Sequence, residues 1–171
     1  MVHISTDCVF CGDKGNYKES DVTDSRDYYG KSKALGEVID SKNITIRTST
    51  IGHELKSSFG LLEWFLSQAG QCKGYRRAIF SGMPTVEFAQ VLRDKVIPNQ
   101  NLVGLYHVAA QPINKLDLLR LLAKMYGKTI EIVPDDEFAI NRSLDPTRFC
   151  LATGYSAPSW CEMIEKMQSY R

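Results

Sequence analysis

Apolar residues fall in short bursts whose spacing separates strands from helices. Residues 2–5 form a brief apolar run of strand type, and a polar loop carrying Gly12, Gly15, Asn16, Asp21 and Asp24 leads to a helix predicted over 26–41. The β-branched run Ile44-Thr45-Ile46-Arg47-Thr48 reads as a second strand. Strand, helix and strand in that order predict a right-handed parallel unit, one slice of a doubly wound sheet. Leu61, Leu62, Trp64, Phe65 and Leu66 give 60–69 the apolar density of a buried helix, with core packing favoured over stacking on a base. Residues 71–81 are polar and basic, and Lys73, Arg76 and Arg77 predict a solvated loop, a phosphate-facing loop being the alternative. Thr85 is placed as a helix cap, and Asn114-Lys115-Leu116-Asp117 resembles a capping arrangement opening an amphipathic helix that stops at Gly127. Residues 102–109 and 130–133 read as strands, and the acidic triplet Asp135, Asp136 and Glu137 as a solvated turn. No internal repeat or low-complexity linker interrupts the pattern.

Composition narrows the classes. With 171 residues, 43% hydrophobic and 24% charged, the chain can bury an ordinary core in one or two small domains. Its 21 basic and 20 acidic side chains nearly cancel, so nothing general draws it to nucleic acid or anionic lipid. No apolar stretch is long enough to span a bilayer and no signal peptide is evident, which makes the cytoplasm the expected location. The odd count of cysteines (Cys8, Cys11, Cys72, Cys150 and Cys161) points to free thiols in a reducing compartment. Cys8 and Cys11 have metal-ligand spacing, but there is no second pair and the three histidines are scattered, so no metal is expected.

The chemistry-bearing residues lie early. Thr6 ends the first apolar run, and Tyr29 and Lys33, four residues apart on the predicted helix, share one face. An ammonium there stabilises a phenolate and makes the phenol a usable acid or base at neutral pH. Ser5 is a competing hydroxyl, but strand alternation sends it to the opposite face. Tyr28 has Ser32, not lysine, four residues on, and Lys31 points about 200° around the helix from Tyr29.

These residues sit in words that resemble the extended short-chain dehydrogenase/reductase superfamily, and within it the dTDP-4-dehydrorhamnose reductase family. The words are Ile4-Ser5-Thr6-Asp7-Cys8-Val9-Phe10, Tyr17-x-Glu19, Tyr29-Gly30-Lys31-Ser32-Lys33-Ala34-Leu35-Gly36-Glu37, Ile46-Arg47-Thr48-Ser49, Gly82-Met83-Pro84-Thr85 and Gly104-Leu105-Tyr106-His107-Val108. Arg142-Ser143-Leu144-Asp145, Gly154-Tyr155 and Pro158-x-Trp160 continue them in family order. Many relatives carry tyrosine where this chain has Cys8, a departure that removes that ring and its contacts.

The resemblance implies an α/β fold, the C-terminal portion of a doubly wound Rossmann-type parallel sheet plus a smaller α/β substrate-binding region. Residues 1–53 and about 80–110 would belong to the NAD(P)-binding part, and about 54–79 and 111–171 to the substrate-binding part. It implies NAD(P)H-dependent reduction of a nucleotide-linked 4-keto sugar, with a dTDP-keto sugar as substrate. Tyr29 would be the proton donor, Lys33 its partner and a ribose contact, and Thr6 a donor to the carbonyl oxygen. Asp7, Arg47, Thr48, Ser49, Thr85, Arg142 and Asp145 are the substrate-binding candidates. The Gly-rich strand–turn–helix that holds a dinucleotide pyrophosphate is not found here, and Gly12-Asp13-Lys14-Gly15 reads as a turn. The expectation is therefore a truncated cofactor domain, weak or no binding of NADP or NAD, no turnover by the isolated chain, and self-association through an exposed sheet edge. Two alternatives stay open: a non-catalytic cofactor-binding homologue, such as a regulatory subunit of methionine adenosyltransferase, and a nucleotide-sugar epimerase or dehydratase.

Overall fold

A computed structural model describes residues 1–170. The first layer is a parallel sheet in the order β1 (Val2–Thr6), β2 (Ile44–Thr48), β6 (Gly104–His107), with helix α1 (Tyr28–Leu35) between β1 and β2 in the chain. All five residues of β2 are buried, as a central parallel strand requires. The short strands β3 (Thr50–Ile51) and β5 (Met83–Pro84) pair in parallel nearby. A second sheet runs β7 (Ile113–Asn114), β4 (Gln71–Phe80), β8 (Glu131–Asn141). The remaining helices are α2 (Leu61–Ser67), α3 (Thr85–Val91), α4 (Lys115–Met125), α5 (Thr147–Thr153) and α6 (Trp160–Ser169). One apolar cluster runs from Ile44 and Ile46 through Leu62 and Phe65 to Leu118, Leu122 and Met163, joining the two sheets.

Three departures from the sequence reading have physical causes. The helix predicted over 26–41 ends at Leu35, because Glu37 turns inward to a buried partner and the Asp40 carboxylate accepts from the backbone N–H groups of Lys42 and Asn43, closing a turn. The predicted basic loop 71–81 is strand β4: Cys72, Gly74, Ala78 and Phe80 face inward, and α4 packs so closely on Gly74 that a Cβ there would meet Leu116. The acidic triplet is not a free turn. It lies within β8, where the register with β4 shifts between Tyr75 and Arg77, and Lys73 and Arg76 pair with Asp135 and Asp136. Thr85 is the first residue of α3, with Pro84 in the cap position. Asn114 does cap α4, its side chain accepting from Asp117 N.

The two faces of the parallel sheet differ in kind. Ile44, Ile46 and Tyr106 face the apolar core. On the other face, one rung aligns Ser5, Arg47 and His107 across β1, β2 and β6. Arg47 is 3% exposed and grips the Glu37 carboxylate through Nε and Nη2, each at 2.7 Å, while the Ser5 hydroxyl donates to the same carboxylate at 2.6 Å. The third guanidinium nitrogen lies 3.3 Å from His107 Nε2, whose ring faces the Tyr17 carbonyl through Nδ1 at 3.0 Å. Those partners select the neutral tautomer that donates from Nδ1 and accepts at Nε2. The Phe10 ring covers the guanidinium, 5.1 Å from centroid to Cζ, and stacks on Tyr17.

Burial, and then the Arg47 charge, lower the His107 pKa from 6.5 to about 4. The unfolded chain therefore binds a proton between those values that the folded chain refuses. The stability is complete above pH 6.5 and is lost as pH falls toward 4, amounting to about 2 kcal/mol at pH 5. Urea unfolding at pH 7.5 and 5.0 is expected to show that loss, and His107→Gln to reduce it. An unchanged pH slope in the variant would assign the loss elsewhere. Burial works to raise the Glu37 carboxyl, but hydrogen bonds from Arg47 and Ser5 outweigh it and hold it below its usual 4.5, so its own contribution disappears only at lower pH.

Candidate functional site

The C-terminal ends of β1 and β2 meet where the candidate side chains gather. After Thr6 the chain turns through one 3₁₀ turn, Asp7–Val9, capped by the Thr6 hydroxyl, which accepts from Cys8 N at 3.1 Å and donates to Asp7 Oδ1 at 3.2 Å. Helix α1 docks against this turn at Gly30, its one buried residue: a Cβ there would collide with the Cys8 carbonyl oxygen and with Ser25. Asp27 caps the helix by accepting from Gly30 N at 2.7 Å. The contact carries Tyr29 and Lys33 to the strand ends, where the Lys33 ammonium donates to the Ile4 carbonyl at 2.7 Å. No hydrogen bond joins Tyr29 to Lys33 among the described residues.

Thr6, Tyr29 and Lys33 line one cavity of about 350 Å³ together with Cys8, Thr48 and Ser49. Thr48 is 4% exposed and its hydroxyl has no partner, a buried polar atom at the wall of the cavity that Tyr29 and Lys33 also line. A second cavity of about 240 Å³ shares Cys8, Ser49 and Thr50 with the first and is lined further by Asp7, Lys115 and Arg142. Burial raises the Asp7 carboxyl above its ordinary range, against opposing hydrogen bonds from Thr6 and Cys8. Arg142 Nη1 donates to Cys8 Sγ at 3.3 Å, so the side chain at position 8 touches both cavities and an arginine.

The other sequence candidates lie apart. Arg47 is committed to Glu37 and His107 on the opposite sheet face. Thr85 is exposed at the start of α3, against Gly52. Asp145 lines a separate hollow of about 550 Å³ with Lys18, Thr147 and Arg148, and its hydrogen bonds from Thr147 hold its carboxyl below the ordinary range. A hollow of about 490 Å³ beside Trp64, Cys72 and Tyr75 is also remote from Tyr29. Two side chains that the sequence reading passed over bear on the site: Lys115, treated there only as part of a capping motif, and Glu37, whose inward turn anchors the residues after α1. Spacing offers a trace of the second alone, since Tyr29, Lys33 and Glu37 recur every four residues.

All five cysteines are free, no group of three His, Cys, Asp or Glu side chains converges on a metal site among the described residues, and no helix there is long and apolar enough to cross a membrane.

Comparison with known proteins is consistent with this geometry. The family model described as RmlD substrate binding domain matches residues 1–167. A dTDP-4-dehydrorhamnose reductase of Aggregatibacter actinomycetemcomitans is 34% identical over 123 residues, covering 66% of this chain and 42% of the relative. The chain thus spans less than half the length of that relative. Among solved structures, a hypothetical dTDP-4-dehydrorhamnose reductase from Sulfolobus tokodaii superposes with a TM-score of 0.75 at 26% identity, over 92% of this chain and 60% of the other. The Bacillus anthracis dTDP-4-dehydrorhamnose reductase in complex with NADP gives 0.83 at 22% identity, over 99% and 64%. These matches favour the reductase family over the regulatory and epimerase or dehydratase alternatives.

Replacing a helical glycine with alanine ordinarily gains up to about 1 kcal/mol. At Gly30 the added methyl meets backbone, and Gly30→Ala is expected to lose about 1–3 kcal/mol in urea unfolding. A stabilised variant would show that α1 does not depend on this contact.

Proposed function

The chain belongs to the RmlD substrate-binding domain family, and from that premise we propose that it carries the proton-handling and substrate-holding part of an NAD(P)H-dependent reductase acting on a dTDP-linked 4-keto sugar. The observation that supports this reading is the convergence of Thr6, Tyr29 and Lys33 on one cavity walled by the unpartnered Thr48 hydroxyl. That donor set fits a nicotinamide ribose and a keto oxygen. When bound, the cofactor supplies hydride to the keto carbon. Tyr29 gives its phenolic proton to the oxygen as charge builds there. Lys33, anchored on the Ile4 carbonyl, stabilises the phenolate that remains and holds a ribose hydroxyl. Thr6 turns its hydroxyl hydrogen from Asp7 to the same oxygen. Asp7, Thr48, Ser49 and Arg142 form the substrate wall in this reading, while Arg47, Thr85 and Asp145 are left out of it. A cytoplasmic setting accompanies the reading.

The pyrophosphate cradle of a dinucleotide site is not among these 171 residues. The polypeptide alone is expected to bind NADPH more weakly than micromolar in a calorimetric titration and to show no turnover. Fused behind the strand–Gly-rich-turn–helix half of a nucleotide-sugar reductase, it is expected to oxidise NADPH with a dTDP-4-keto sugar and to lose about 10²–10⁴-fold in rate with Tyr29→Phe. A folded, NADPH-binding fusion whose rate is indifferent to Tyr29→Phe would overturn the reading.

The proposal extends to self-association. Among the described strands β1 pairs only with β2, and Val2 and Ile4 are 42% and 37% exposed beside its open edge. Sedimentation of the polypeptide at high concentration is expected to show dimers or larger species, and a persistent monomer counts against the extension.

A further inference from the structure

Residues 52–60 have no regular structure, and they leave the wall of the smaller cavity and return to it: Ile51 at the end of β3 and Leu61 at the start of α2 both line that cavity. The two ends of this strap are fixed. Gly52 packs so closely on Thr85 that a Cβ would meet its hydroxyl. The His53 ring is held between Glu63 Oε1 on α2, 2.7 Å from Nδ1, and the Tyr126 hydroxyl at the end of α4, 2.9 Å from Nε2. At the far end the Gly60 carbonyl accepts from Trp64 N in the first turn of α2. Between these anchors, residues 54–59 make no hydrogen bond or ion pair among the described residues, and one Glu54 carboxylate oxygen is buried without a partner. The two apolar side chains on the strap, Leu55 and Phe59, are 99% and 92% exposed. Side chains of that size stand at a cost in water, and the backbone that carries them moves without breaking an internal bond.

We propose that residues 54–59 form a strap that closes over the mouth shared by the two cavities, turning Leu55 and Phe59 inward and excluding water from the space in front of Tyr29. Phe59 is two residues from Leu61 and Leu55 four from Ile51, so along the chain they lie within about 7 and 14 Å of the cavity lining. The walls common to both cavities, Cys8, Ser49 and Thr50, are what the closed strap covers. Its service to catalysis rests on the reductase reading, whereas the closure itself does not.

A native thiol reports on closure, because Cys8 lines both cavities. The purified Phe59→Cys polypeptide, oxidised with copper–phenanthroline, is expected to form an intramolecular disulfide to Cys8, assigned by peptide mass mapping. The bond is expected to form about 10-fold or more faster than with Leu151→Cys, at a position 83% exposed beside the separate Asp145 hollow. Ser57→Cys, in the middle of the strap, is expected to be slower than Phe59→Cys, because closure turns the apolar side chains inward. Adding Leu55→Ser to Phe59→Cys is expected to slow the bond about 3-fold or more by removing half of the apolar drive. All four positions are exposed, so the variants are expected to fold as the parent does. Equal rates for Phe59→Cys and Leu151→Cys, or for Phe59→Cys and Ser57→Cys, overturn the strap, as does a rate indifferent to Leu55→Ser. A bond formed only between molecules also overturns it and marks Leu55 and Phe59 as a contact between copies. Closure in a polypeptide whose fusion lacks Tyr29-dependent turnover would sink the reductase reading and leave the strap standing. A strap that does not reach Cys8, with an active fusion, would sink only the strap.

Discussion

The buried ion pair between Glu37 and Arg47 is the constraint around which the parallel layer is arranged. A guanidinium in the middle of a fully buried central strand is tolerable only if its charge and its donors are matched, and here a carboxylate, an imidazole and an aromatic face do so from three separate segments. The pair fixes where α1 must stop, because Glu37 cannot continue the helix and also reach Arg47. It also fixes the heights of β1 and β6, since Ser5 and His107 lie on the same rung as Arg47. Removing one member would strand a buried charge, a loss of about 3–5 kcal/mol in comparable settings, whereas apolar replacement of the whole set need not be destabilising. Its worth is therefore better described as register and placement than as net stability.

Strand alternation then divides the labour. The rung of Ser5, Arg47 and His107 serves the architecture, and the next, Thr6 with Thr48, ends β1 and β2 at the cavity. Ser5 also borders the cavity, but its hydroxyl is spent on Glu37, and a shift of one residue in β1 would break that contact and take Thr6 off the step it shares with Thr48. The same logic explains why Arg47, an attractive substrate ligand by its place at a strand end, faces away from the cavities while its neighbour Thr48 is on the wall.

Much of this was legible in the residues themselves. The β-branched run of β2, the capping motif at Asn114 and the four-residue spacing of Tyr29 and Lys33 express local rules, and local rules survive folding. What could not be read depended on distant partners. Strand β4 hides its alternation behind Lys73, Arg76 and Arg77, and the acidic partners of the first two lie about sixty residues on in β8. The true end of α1 depends on a guanidinium ten residues away on another element. Lys115 gains its interest only because the turn after β1, strand β3, α2, β4, α4 and the end of β8 all contribute to a single hollow.

Helix α1 buries a single residue, Gly30, and has no apolar seam along its length, Tyr28 and Leu35 being 93% and 89% exposed. It is held by the glycine contact with the 3₁₀ turn, by Ala34 against Val9 and Phe10, by Lys33 on the Ile4 carbonyl and by the Glu37 anchor beyond its end. Opening it exposes little hydrophobic surface, so its cooperative link to the core is weak and its local free energy of opening lies well below that of β2. Tyr29 and Lys33, carried together on such an element, are positioned by a few anchors rather than by a packed interior, and their distance from Thr6 and Thr48 can adjust to what occupies the cavity at little cost to the core.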